Sequence, residues 1–92
     1  MVGVSQKYDV EVAVKSQKGK CAFGHKPGDK IRFNGRTMSG KLCYTALAVM
    51  IETISALMYG MDYPWQEGDT LELACPDATN PVVFTLKRVK KT

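Results

Sequence analysis

Only one stretch of this chain has the periodicity of a long α-helix, and it is apolar around more than half of its circumference. We predict a helix from about Gly40 to Tyr59, with Ser39 as N-cap and Gly60 in the left-handed conformation that ends it. Its apolar residues are Leu42, Cys43, Ala46, Leu47, Val49, Met50, Ile51, Ile54, Leu57 and Met58. Such a helix must be largely enclosed, with a sheet on one side and loops or a second subunit on the other. Burial, in the monomer or in a homodimer, is expected above all for Leu47, Met50, Ile51 and Ile54.

A membrane span is the alternative for residues 42–61, which form a strongly apolar segment with a single charge. That charge, Glu52, lies near the centre of the segment, where an acidic side chain costs about 2.5–3.5 kcal/mol on insertion. No basic residue flanks the C-terminal side. A buried helix in a soluble domain is therefore favoured, with no membrane partner.

The rest of the chain contains segments in which apolar and polar residues alternate, as in strands with one wet face. They begin near Tyr8, Lys30, Gly68 and Val82, and turn residues such as Asn34-Gly35 separate them. The order β-β-α-β-β predicts an α+β fold, a small antiparallel sheet of about four strands packed on one largely buried helix. With 92 residues the chain forms a single domain, 1–92, with fraying at about 1–6 and 90–92.

An aromatic loop, residues 61–68, joins the predicted helix to the third predicted strand. It contains Tyr63, Pro64 and Trp65. This loop is apolar enough that we expect it to lie over the helix.

The cysteine count bears on the redox compartment. Three cysteines cannot all pair within one chain, and they are too few for a disulfide framework. The first seven residues, Met1 to Lys7, have no basic region followed by an apolar run, so they do not resemble a secretory signal. We expect a reduced, cytoplasmic protein.

Four residues could hold a metal: Cys21, His25, Cys43 and Cys75. Three cysteines and one histidine match the donor count of a closed tetrahedral zinc site, and iron is the other candidate. Their spacing lacks the two close ligand pairs of most zinc sites, and Cys75 also fits the apolar face of its strand. Cys43, at the start of the helix, is the alternative reactive thiolate, with His25 as an assisting base.

Charge is distributed unevenly along the chain. Residues 15–41 contain eight Lys or Arg and one acid, whereas residues 42–86 contain six acids and no Lys or Arg. A patch that binds nucleic acid or another anionic partner is an alternative function, with Lys18, Lys20, Lys26, Lys30, Arg32 and Arg36 as its residues. The support is weak, because Phe33 alternates with Arg32 and so points into the core rather than forming a stacking platform.

Two motifs resemble the pattern of a family of small uncharacterised prokaryotic proteins. The motif C-x-x-G-H-K-x-G-D covers Cys21 to Asp29, and C-P-D-x-x-N-P-V-V-F covers Cys75 to Phe84. The likeness extends from Cys21 to Val89, but Cys43 is followed by Tyr44 where the family commonly has Pro. The resemblance implies that Cys21, His25, Cys43 and Cys75 belong to one pattern, and it implies no activity.

Three interpretations therefore stay open at the level of sequence. The first is a metal-binding or thiol-based module, with enzyme activity undecided. The second is the nucleic-acid or anionic-partner module, and the third is a ligand-free protein-interaction subunit, which the apolar helix fits equally well. Whichever holds, we expect the domain to self-associate as a homo-oligomer.

Overall fold

The computed structural model describes residues 7–18, 24, 26–35, 37–75, 79 and 81–90. They form one antiparallel sheet and one helix, so the predicted α+β fold is confirmed. The elements are β1 (Tyr8–Gln17), β2 (Lys30–Phe33), β3 (Met38–Ser39), α1 (Tyr44–Met58), β4 (Thr70–Ala74) and β5 (Val82–Lys90). The sheet has the order β3-β2-β1-β5-β4, five strands rather than about four.

The alternation in β1 and β5 builds the core. Val10, Val12 and Val14 are buried on the face that meets α1. On β5 the corresponding residues are Phe84 and Leu86, and β1 and β5 pair along their length with a register shift between Val14 and Ser16. Because paired residues of an antiparallel sheet share a face, the opposite face carries Glu11, Arg32, Lys87 and other polar residues. We call this second face the open face.

Helix α1 runs back over the sheet, antiparallel to β1. Just before the helix, the backbone at Gly40 lies against Lys30 and Ile31, which pair with the second half of β1. At the other end, the Lys7 backbone N–H donates to the Met58 carbonyl oxygen at 2.8 Å. The N-terminus of α1 therefore lies toward the end of the sheet where β1 ends and β5 begins.

The predicted start of the helix is wrong. Ser39 is not the N-cap but belongs to β3, where it pairs with Arg32, and the N-cap is Cys43. The reason is at Gly40, whose φ of +104° is incompatible with a right-handed helix. The predicted end is correct, because α1 ends at Met58 and Gly60 has a φ of +89°.

The sheet encloses one side of the helix. Met50 and Ile54 are buried within the monomer and Leu47 is half-buried, whereas Ile51 is 46% exposed, so its predicted burial would require a second subunit. The sheet ends at the two-residue strand β3, so it is too narrow to cover that side of α1. A groove of about 340 Å³ between Ile51, Met38 and Phe33 is left there.

Among the described residues no helix is long and apolar enough to cross a membrane. The apolar segment that raised the question forms the 15-residue helix α1. The final strand extends to Lys90, which the sequence placed in a frayed end, while residues 1–6, 91 and 92 lie outside the described part of the chain.

Candidate functional site

Cys43 occupies the N-cap of α1, where the first backbone N–H groups of the helix have no partner within the helix. The Cys43 side chain does not form the side-chain hydrogen bond of a regular N-cap. Even so, the backbone N–H of Ala46 lowers the pKa of the Cys43 thiol below its ordinary value of 9.0, helped by Thr45 and opposed by partial burial. The sulfur is half-buried against the core. Cys43 therefore combines a lowered thiol pKa with partial access to solvent, two features of reactive and metal-binding cysteines.

Cys75 follows β4 and faces the first residue of β5. Its backbone N–H donates to the Val82 carbonyl oxygen at 3.0 Å, and its sulfur accepts a hydrogen bond from the Val82 backbone N–H at 3.2 Å. Cys75 is half-buried and packs against the core, as its place in the alternation predicts. Like Cys43, it forms no disulfide bond in the described part of the chain.

The two other candidate ligands, Cys21 and His25, lie outside the described residues. The described residues on either side of them are anchored at the same end of the sheet as Cys75. The Lys18 backbone N–H donates to the Pro81 carbonyl oxygen at 3.0 Å, and that of Gly28 donates to the Val14 carbonyl oxygen at 3.1 Å.

Within the described part of the chain, no three His, Cys, Asp or Glu side chains are grouped as a metal site. Since two of the four predicted ligands lie outside that part, the metal site stays a prediction.

Arg32, one of the residues of the predicted basic patch, is paired with an acidic residue. Lys30 and Arg32 do share the open face with Lys15, because they pair with Ala13 and Glu11 of β1. Arg32, however, donates from Nη2 and Nε to the buried Asp9 carboxylate at 2.9 and 3.3 Å. Lys15 forms an ion pair with Glu72.

Of the predicted patch residues, Lys18, Lys26 and Lys30 are exposed, and Lys20 and Arg36 lie outside the described residues. The described open face carries charges of both signs, and the nucleic-acid patch stays a prediction.

One charged cluster was missed by the sequence analysis. Arg88, with its side chain only 7% exposed, lies on the helix-facing side of β5 and donates to Asp62 at 2.8 Å. It also pairs with Asp69 at 3.2 Å and stacks over the Tyr8 ring at 5.0 Å from the centroid. The signal was available, since Arg88 continues the inward alternation of Phe84 and Leu86.

The aromatic loop is only partly packed, although the prediction had its aromatic residues covering the helix. Tyr63 does pack against the core, but Trp65 is 61% exposed. Its ring contacts Tyr63, with the centroids 5.0 Å apart and the planes tilted by 40°.

Comparison with family models, with curated proteins and with solved structures finds no match for this chain.

Proposed function

We propose that this protein is a small metal-binding module whose ligands are thiolates, with zinc or iron as the metal, centred on Cys43 at the N-terminus of α1. The observation that carries the proposal is the lowered pKa of the Cys43 thiol, caused first by the backbone N–H of Ala46. A thiolate, not a thiol, is the form that binds metal, and a lowered pKa increases the fraction of that form at any pH below 9.0.

Topology supplies the second support. Cys75 lies where β4 ends, and the N-terminus of α1 lies toward the same end of the sheet. The residues that flank Cys21 and His25 in the sequence are hydrogen-bonded there as well. Three thiolates and one imidazole would complete a tetrahedral zinc or iron site.

The alternative within the same proposal is a thiol without a metal. In that form Cys43 acts as a nucleophile or as a redox-active thiol, because the same N–H groups that favour metal binding also favour the thiolate. The two forms are distinguished by metal content.

Elemental analysis by plasma mass spectrometry of untagged protein, expressed with added zinc and iron, tests the proposal. We expect close to one metal per chain, and a large loss in each of Cys43→Ser, Cys75→Ser, Cys21→Ser and His25→Gln. Glu52→Gln, which removes a carboxylate on the exposed side of α1, is the matched control and should keep its metal.

Absence of metal in the wild-type protein, together with Cys43 alkylation no faster than that of Cys75, would contradict both forms of the proposal. Absence of metal with fast Cys43 alkylation would leave the thiol form alone.

A further inference from the structure

The aromatic loop between α1 and β4 is cross-linked by hydrogen bonds of Gln66 and by ion pairs with Arg88 of β5. The Gln66 side chain accepts from the Tyr63 backbone N–H at 3.1 Å and donates to the Gly68 carbonyl oxygen at 2.7 Å. Arg88 fixes both ends of the loop by binding Asp62 and Asp69. These contacts restrict the conformations of the loop and thereby the positions of its remaining side chains.

This hydrogen-bonded loop exposes its largest apolar side chain. Trp65 is 61% exposed, while the neighbouring Tyr63 provides the contact with the core. Packing of the domain does not account for an indole in that position. Exposed aromatic rings on a fixed support are typical of binding surfaces.

Trp65 borders a cavity of about 340 Å³ at the β4 edge of the sheet. Its other lining residues are Lys15, Glu67, Thr70, Leu71 and Glu72. Lys15 reaches across β5 to pair with Glu72, so one alkylammonium group is already bound at this cavity. Among the described residues Glu67 forms no ion pair, which leaves the cavity with one unbalanced negative charge.

We propose that this cavity binds an organic cation, an alkylammonium or guanidinium group of the kind found on basic peptide side chains and polyamines. The cation would lie over the Trp65 ring, whose face is electron-rich, and beside the Glu67 carboxylate. The ion pair between Lys15 and Glu72 shows the same chemistry within the chain, and Lys15 competes with the incoming cation for Glu72. The two carboxylates disfavour an anionic ligand.

Trp65 is the single tryptophan, so its fluorescence reports directly on the cavity. The primary probe is N-acetyl-lysine amide, and N-acetyl-norleucine amide is the neutral control with the same carbon chain. Spermidine and a tri-lysine peptide then distinguish a polyamine from a peptide as the source of the cation. We expect a saturable fluorescence change with the lysine probe that weakens as salt rises, and none with the norleucine probe.

Three variants test the assigned roles. Glu67→Gln should weaken binding by about threefold or more, because it removes the unbalanced charge. Lys15→Met should strengthen it by a similar factor, because it frees Glu72. Trp65→Leu, measured by calorimetry, should also weaken binding, and Glu52→Gln on α1 should leave it unchanged.

Circular dichroism confirms that each variant is folded. The proposal fails if the wild type gives no saturable response, if both amides respond equally, or if Lys15→Met weakens binding. Saturable binding of a neutral disaccharide without binding of the lysine probe would also overturn it.

Discussion

Arg88 offers a sharp test of how charge is accommodated in this fold, because the cation is buried while its counter-charges are not. The Arg88 side chain is 7% exposed, whereas those of Asp62 and Asp69 are 75% and 60% exposed. One guanidinium nitrogen, Nε, is buried and has no hydrogen-bond partner. We predict that removing the two carboxylates destabilises the protein more than removing the arginine.

The magnitudes follow from burial. In Asp62→Asn/Asp69→Asn the guanidinium stays buried without a counter-charge, a change that costs about 3–5 kcal/mol for fully buried pairs. Because both aspartates are largely exposed and therefore screened by solvent, we expect the lower end, about 3 kcal/mol. In Arg88→Met the apolar stem is retained and the aspartates return to water, so the expected loss is about 1 kcal/mol or less.

Urea denaturation followed by circular dichroism measures both free energies of unfolding. For a domain of this size each kcal/mol corresponds to about 4–8 °C in Tm, so thermal unfolding also resolves the difference. Trp65 fluorescence should change in the double Asn variant, because the loop loses its fastening at both ends. A larger loss in Arg88→Met than in the double Asn variant would refute the reasoning.

Three further changes have defined outcomes. Gly40→Ala should destabilise the fold by about 1–3 kcal/mol in urea unfolding, since the added Cβ would lie 2.9 Å from the Lys30 carbonyl oxygen at a φ of +104°. Asp9→Asn should cost about 1–2 kcal/mol, and less than a fully buried pair would lose, because Arg32 has a 37% exposed side chain that water can solvate. In metal-free protein the lowered pKa of Cys43 stabilises the folded state above that pKa. The stability advantage of wild type over Cys43→Ser should therefore grow as pH rises toward 9.0, the ordinary thiol value, and vanish as pH falls through the folded pKa; urea unfolding across this range measures it.

The parts of the fold that were predicted correctly depend on local pattern alone. The alternation in β1 determines that Val10, Val12 and Val14 face the core, and the same rule places Phe33 inward. Gly60 ends the helix because it adopts the left-handed conformation that a helix terminus requires, and this requirement is local to the backbone. These properties require no knowledge of distant neighbours.

The features that local pattern alone does not determine depend on such neighbours. Ser39 is a good N-cap by residue type, yet it pairs with Arg32 in an edge strand, and nothing in the residues around it encodes that pairing. Ile51 fits the apolar pattern of α1 as well as Ile54 does, but a sheet that stops at β3 covers only Ile54. Similarly, Asp9 alternates like an exposed residue, and its burial arises because Arg32 binds its carboxylate.

The candidate site also has one part that local sequence predicts and another that depends on residues distant in sequence. Cys43 could be placed at the helix start from sequence, and the structure adds that it is the N-cap, with a thiol whose pKa is lowered chiefly by the Ala46 N–H. The cavity beside Trp65 could not be predicted, because it depends on Lys15 of β1 reaching β4 across an intervening strand.

That ion pair also bears on the uneven charge of the chain. The basic stretch 15–41 and the acidic stretch 42–86 are far apart in sequence, but β1 and β4 flank the same strand, β5. Lys15 meets Glu72 across it, and Arg88, from the basic C-terminal segment, meets Asp62 and Asp69. Opposite charges that are segregated along the chain therefore compensate one another in the fold. Because Lys15 and Arg32 of the open face already pair with carboxylates, we expect any binding to nucleic acid to be weak, non-specific and lost as salt rises. A sub-micromolar, salt-resistant complex with nucleic acid would show that this compensation is incomplete.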